Sequence, residues 1–182
     1  MNYIKICLSG VLQYFCNTSS TSLKKTYTTA MTPTKASIVG LISSALGYDR
    51  DSDDIKTISD RITVKYETIQ EPTILNDFKT VRPLKSQQYC MSTEYKKHNS
   101  FVSYEGKKKN EAIVKSIQFL QDGEFEVYVG GSDDLLKEIY NALRNPTYAL
   151  FIGKRSCVPN KPFVTNFELI SEGDLENVSN CI

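Results

Sequence analysis

The chain has 182 residues, a formal net charge of +1, and near-average hydrophobic (40%) and charged (24%) fractions. That length gives one domain with room for a large inserted element and a core that needs neither metal nor disulfide, and the composition excludes wholesale disorder. With acids and bases balanced, only the distribution of charge can speak for or against nucleic acid.

Residues 3–8 alternate, with Ile4, Ile6 and Leu8 on one side, and predict a strand with one buried face, ended by Gly10. Lys5, Ser9 and Gln13 interrupt the apolar residues of Met1–Phe15, so this stretch does not read as a signal peptide. Residues 17–32, rich in Ser and Thr, read as a polar loop. A helix follows, capped by Thr32 or Thr34, with Pro33 in its first turn, an apolar face of Ile38, Leu41, Ile42, Ala45 and Leu46, and Gly47 as its stop. The acids of Asp49–Asp54 read as a solvated helix N-terminus rather than a metal site. Strands are predicted over 62–69 and 73–78, separated by Glu71-Pro72.

Residues 79–110 change character. Lys79, Arg82, Lys85, Lys96, Lys97, Lys107, Lys108 and Lys109 face only Glu94 and Glu105, and Tyr89, Tyr95, Phe101 and Tyr104 lie among them. This is an inserted basic element, shaped as a long hairpin. Residues 112–120 and 124–130 flank Gln121-Asp122-Gly123, and Asp-Gly between two β-like runs predicts a hairpin turn. A helix capped by Ser132 carries Asp133 and Asp134 in its first turn and buries Leu135, Leu136, Ile139 and Leu143; Asn145-Pro146 ends it. Tyr148–Ile152 and 163–170 complete the predicted strands. The order is β-α-β-β, insertion, β-β-α-β-β, which predicts one α+β domain over 1–182 with an antiparallel sheet, of the ferredoxin or RNA-recognition type.

The chemistry-bearing residues favour binding over catalysis. His98 is the sole histidine, no nucleophile elbow, phosphate loop or GxGxxG occurs, and the five cysteines (Cys7, Cys16, Cys90, Cys157, Cys181) lack CxxC spacing, so reduced thiols and no metal or cofactor are expected. No apolar run approaches the roughly 20 residues of a membrane helix, and a soluble cytoplasmic protein is expected. One catalytic arrangement stays open: Tyr95, Lys97 and His98 are residue types that suit metal-independent RNA cleavage. Lysines among aromatics suit RNA phosphates and unpaired bases, although a solvated loop is also lysine-rich. Lys35 stands at a helix N-terminus, where it opposes the helix dipole unless an anion is bound. Gly153-Lys154-Arg155-Ser156 places two cations and a hydroxyl on one turn.

Four stretches together resemble the Cas-five family of CRISPR-associated proteins, of the RAMP superfamily, and most of all its type I-E Cascade members. They are Leu8–Phe15, Pro33–Leu41 continuing through Ala45–Asp51, Asp77–Val81, and Asn145–Tyr148 with Phe151–Cys157 and Pro159. Val11 stands in place of the family's proline, Phe15 in place of its tryptophan, and Lys79 where type I-E members have histidine. The resemblance implies an RNA-recognition-like fold with a projecting β-hairpin thumb, here 79–110. It implies a non-catalytic subunit that caps the 5′ repeat-derived handle of the crRNA in an antiviral ribonucleoprotein complex. That subunit touches the backbone and large subunits, and target DNA only through the complex. The RNA-binding residues would be Gln13, Lys35, Arg50, Lys79, Arg82, Lys85, Lys96, Lys97, Lys107, Lys108, Lys154, Arg155 and Ser156. In type I-C relatives the corresponding protein cuts repeat RNA with tyrosine, lysine and histidine, which is the alternative reading.

Overall fold

The computed structural model describes residues 1–16, 26–81, 101–102, 108–109, 113–175 and 180–181. In chain order the elements are β1 (Asn2–Ser9), β2 (Leu12–Gln13), β3 (Thr26–Tyr27), α1 (Lys35–Leu46), α2 (Asp53–Arg61), β4 (Thr63–Gln70), β5 (Thr73–Val81), β6 (Phe101–Val102), β7 (Lys108–Lys109), β8 (Ile113–Gln121), β9 (Glu124–Gly131), α3 (Asp133–Arg144), β10 (Ile170–Ser171), a 3-10 turn (Glu172–Leu175) and β11 (Asn180–Cys181). A first sheet runs β10-β1-β9-β4-β11, with every neighbouring pair antiparallel. In a second sheet β8 is flanked by β5 on one edge and by the short β2 and β3 on the other.

The inward face of the first sheet follows from period-two patterning. Ile4, Ile6 and Leu8 of β1 join Phe125, Val127 and Val129 of β9 and Val64 of β4 in one apolar cluster. The helices cover this face with Ile38, Leu41, Ile42 and Ala45 from α1 and Leu135, Leu136, Ile139 and Leu143 from α3. Thr34 caps α1, its hydroxyl accepting from the Ser37 N–H, so Pro33 lies just outside the helix. Gly47 closes α1 in the left-handed region (φ 84°). The acidic stretch is the start of α2, with Ser52 as cap and Asp53 and Asp54 in the first turn, as the solvated-terminus reading expects.

Four local expectations change. The Asp122-Gly123 pair is not a hairpin turn. β8 pairs with β5 while β9 pairs with β4, so β4–β5 and β8–β9 form one long antiparallel ribbon that bends where Pro72 meets Gly123. Asp122 takes a positive φ (56°), and the register shifts between Thr68 and Gln70; the pair therefore makes a bulged corner between two sheets and not a chain reversal. Residues 148–152 are irregular, and of 163–170 only Ile170 enters a strand. Pro159 and Pro162 cannot donate to a ladder, and the segment is held by single bonds such as Cys7 N–H to the Phe163 carbonyl (2.8 Å). Ser132 occupies the α3 cap position without a side-chain cap bond; Asp133 instead accepts from the Asn2 amide at 2.8 Å. Thr26–Tyr27, placed in a polar loop by composition, pair in parallel with Ser116–Ile117 of β8.

The inserted element leaves the far end of the β5–β8 ribbon. Within it β6 and β7 pair antiparallel, while 82–100, 103–107 and 110–112 lie outside the described residues.

Candidate nucleic-acid interface

The turn that follows residue 152 is closed by backbone bonds. The Ile152 N–H donates to the Cys157 carbonyl (2.8 Å), the Cys157 N–H to the Lys154 carbonyl (2.8 Å), and the Tyr14 N–H to the Ile152 carbonyl (3.0 Å). Gly153 makes this docking possible: its φ is +97°, and a Cβ there would overlap the Tyr14 carbonyl oxygen. Docked in this way, the loop lays the Lys154 ammonium over two rings, 4.1 Å from the Tyr14 centroid and 5.2 Å from that of Tyr27. Tyr14 packs edge-on against Phe119 of β8.

Two further lysines join from the ribbon. Lys79 and Lys115 are directly paired across β5 and β8. The Lys115 ammonium sits 5.6 Å from the Tyr27 centroid and donates to the Tyr27 hydroxyl at 3.5 Å. Lys154 is half-buried, and burial first, then the Lys79 charge, lowers its pKa. Lys79 has Asp77 at 3.9 Å. Lys115 and Lys154 have no carboxylate partner among the described residues. Lys115 and Lys154 at the two tyrosines, with Lys79 beside them, thus make a basic, aromatic patch whose charge is largely uncompensated among the described residues.

Beside the patch lies an open cleft of about 650 Å³. One wall is α1, through Ala36, Ser37, Gly40, Ser43 and Ser44, and the other is the segment from Tyr148 to Arg155; Tyr48, Asp49, Arg50 and Ile55 also line it. Gly40 stands in the middle of α1, where glycine costs about 1 kcal/mol relative to alanine. Packing does not demand it, since a Cβ there meets nothing within 4 Å.

The outer face of the first sheet is chemically opposite. Cross-strand neighbours Glu67 and Glu126, with Glu124 beyond, line it, and its cations are already used: Lys5 pairs with Glu126 at 3.0 Å, Lys161 with Glu124 at 2.6 Å, and Lys65 with Glu172 at 3.7 Å. Tyr128 donates to Glu126 (2.9 Å), and burial together with that bond pushes its phenol well up. Tyr3, Tyr128 and Leu175 cover part of this face. The ion pairs leave no lysine of this face without a carboxylate among the described residues.

The family described as CRISPR-associated protein (Cas_Cas5) matches residues 3–180. The chain belongs to this family. It is 24% identical over 166 residues to the CRISPR system Cascade subunit CasD of Escherichia coli (strain K12), covering 88% of this chain and 69% of that protein. Among solved structures, a chain of a CRISPR RNA-guided surveillance complex shares the fold with a TM-score of 0.70 at 21% identity, covering 88% of this chain and 61% of that one. A second, a crystal structure of a Cas protein, gives 0.59 at 24% identity, covering 88% and 60%. The chain therefore spans about three fifths of those two solved chains.

Of the residues the Cas-five resemblance singled out, Arg50, Lys154 and Arg155 line one cleft, and Lys79 adjoins Lys154. Ser156 is exposed on the same turn. Lys35 begins α1 beside the cleft-lining Ala36 and Ser37. Gln13 is a correction: it is fully buried and its amide donates to the Gly123 carbonyl, so it ties β2 to the ribbon corner and cannot reach RNA. Phe15, in the family's tryptophan position, is buried edge-on to Phe125. Arg82, Lys85, Lys96, Lys97 and Lys107, with Tyr95 and His98, lie outside the described residues, as does the Lys108 side chain. Tyr14, Tyr27 and Lys115 were missed. Lys115 shares a strand face with Ile117 and Phe119 by period-two spacing, but nothing in sequence joins it to Tyr27 or Lys154.

No helix among the described residues is long and apolar enough to cross a membrane, and they contain no cluster of three or more potential metal ligands.

Proposed function

We propose that this chain is the RNA-capping subunit of a type I CRISPR effector complex, most like type I-E, and that it grips the 5′ repeat-derived handle of the crRNA without cutting it. The observation that carries the reading is the patch of Lys115 and Lys154 over Tyr14 and Tyr27, with Lys79 across the ribbon from Lys115, continuous through Lys154 with the Arg50–Arg155 cleft. Uncompensated cations neutralise phosphates, and aromatic rings bordering them suit unpaired nucleotides. The architecture supports a ferredoxin-type core. β1, β4, β9 and β10 take the spatial order β10-β1-β9-β4, with α1 following β1 and α3 following β9. The inserted element 79–110, which begins at the end of the β5–β8 ribbon, would then be the thumb. Membership of the Cas-five family supports the remaining assignments: backbone and large subunits as partners, target DNA met through the complex, and the cytoplasm as location.

The test is binding and integrity of end-labelled repeat RNA from the protein's own locus, with and without EDTA. Retarded, intact RNA is the expected result. A single metal-independent cut abolished by His98→Ala would replace this reading with a processing nuclease.

A further inference from the structure

We infer that the cleft between α1 and residues 148–155 receives one extruded nucleotide, with Gly40 as its clearance and Ser43 as the group that meets the base. The inference rests on the RNA-binding reading and names the site that holds a base, where the lysine patch holds only backbone.

Two independent observations meet at this spot. Gly40 is an exposed mid-helix glycine lining the cleft, with normal helical geometry and no steric demand, so nothing among the described residues accounts for its helix penalty. A side chain at 40 would project into the cleft; its absence lets a flat ring approach the α1 backbone closely. One turn on, Ser43 also lines the cleft and is 3% exposed, and its hydroxyl has no hydrogen-bond partner among the described residues. A hydroxyl in a helix ordinarily bonds the carbonyl four residues back. An orphan in a buried position costs stability, and a base edge, rich in donors and acceptors, would satisfy it. The rim supplies the rest of a nucleotide's needs. Tyr48 and Tyr148 are ring surfaces, and Arg50, Lys154 and Arg155 are cations for the flanking phosphates.

The experiment uses the 182-residue chain and its locus's repeat RNA, with 2-aminopurine replacing one base at a time. The expected result is that binding changes the fluorescence strongly at one position, and that Gly40→Leu abolishes this signal and weakens binding roughly tenfold. The salt dependence set by the lysines should stay the same. Leucine is a strong helix former, so Gly40→Leu should melt no lower than the parent, which separates a blocked cleft from a damaged fold. Ser43→Ala should melt at or above the parent temperature yet lose about tenfold in preference among bases at that position. If Gly40→Leu binds RNA with unchanged affinity and unchanged fluorescence at every position, the nucleotide pocket is wrong while the capping reading stands. If the parent chain binds no RNA, both fall.

Discussion

The two sheets share one core but present opposite chemistry. On the outer face of the first sheet every described lysine has a carboxylate, and the carboxylates Glu67, Glu124 and Glu126 stand together. On the second sheet and its docked loop, lysines meet tyrosine rings, and among the described residues only Asp77 answers them. A saturated face, its charges paired, has little left to offer a phosphate, whereas an unsaturated one, with unpaired cations, can attract an anion. In RNA-recognition folds the open sheet face is the expected platform, since its aromatics stack bases. On the first sheet of this chain the described lysines are already paired with carboxylates, and the lysines that lack such partners among the described residues lie on the second sheet and its docked loop.

The largest effect should come from removing the loop that creates the unsaturated side. Gly153→Ala forces a Cβ into the Tyr14 carbonyl at a positive φ, which should lower the unfolding free energy by about 3 kcal/mol in urea denaturation. Next, Lys79→Glu with Lys115→Glu should weaken RNA binding roughly hundredfold at low salt and reduce the log–log salt slope by about two. Lys5→Ala with Lys161→Ala on the saturated face should leave affinity within about twofold, because Glu126 and Glu124 already neutralise those cations. Equal losses from both pairs would erase the contrast.

Acidity sharpens it further. Burial, then the Lys79 charge, places the Lys154 pKa below the ordinary 10.5. The charged form is the strained one, so the folded chain releases this proton at lower pH than an unfolded chain does. RNA affinity should be full at neutral pH and decline as pH rises through the lowered pKa, before 10.5 is reached. Lys154→Arg, whose guanidinium stays charged, should flatten that decline in a fluorescence titration. The smallest effect is expected for Lys5→Ala on stability. Its exposed pair with Glu126 should contribute less than about 1 kcal/mol.

Some elements were legible because they depend on local rules. The period-two run in β1, the Thr34 and Gly47 caps of α1, and the apolar stripe of α3 each lie within a dozen residues. So did the cations of the 153–156 turn. The sequence could not tell a hairpin from a corner at Asp122-Gly123, because both use the same turn residues. The choice was made by Pro72 and by pairing with a strand fifty residues away. Gln13 looked like a surface contact in its motif, yet it is buried because β2 lies against the ribbon corner. Nor could spacing place Tyr14, Tyr27, Lys79, Lys115 and Lys154 together, since they come from five segments that share no period. Hydrophobic patterning is read along the chain and fixes what faces inward. Which outward-facing charges end up beside one another is set by sheet register and loop docking, and only the folded chain decides that.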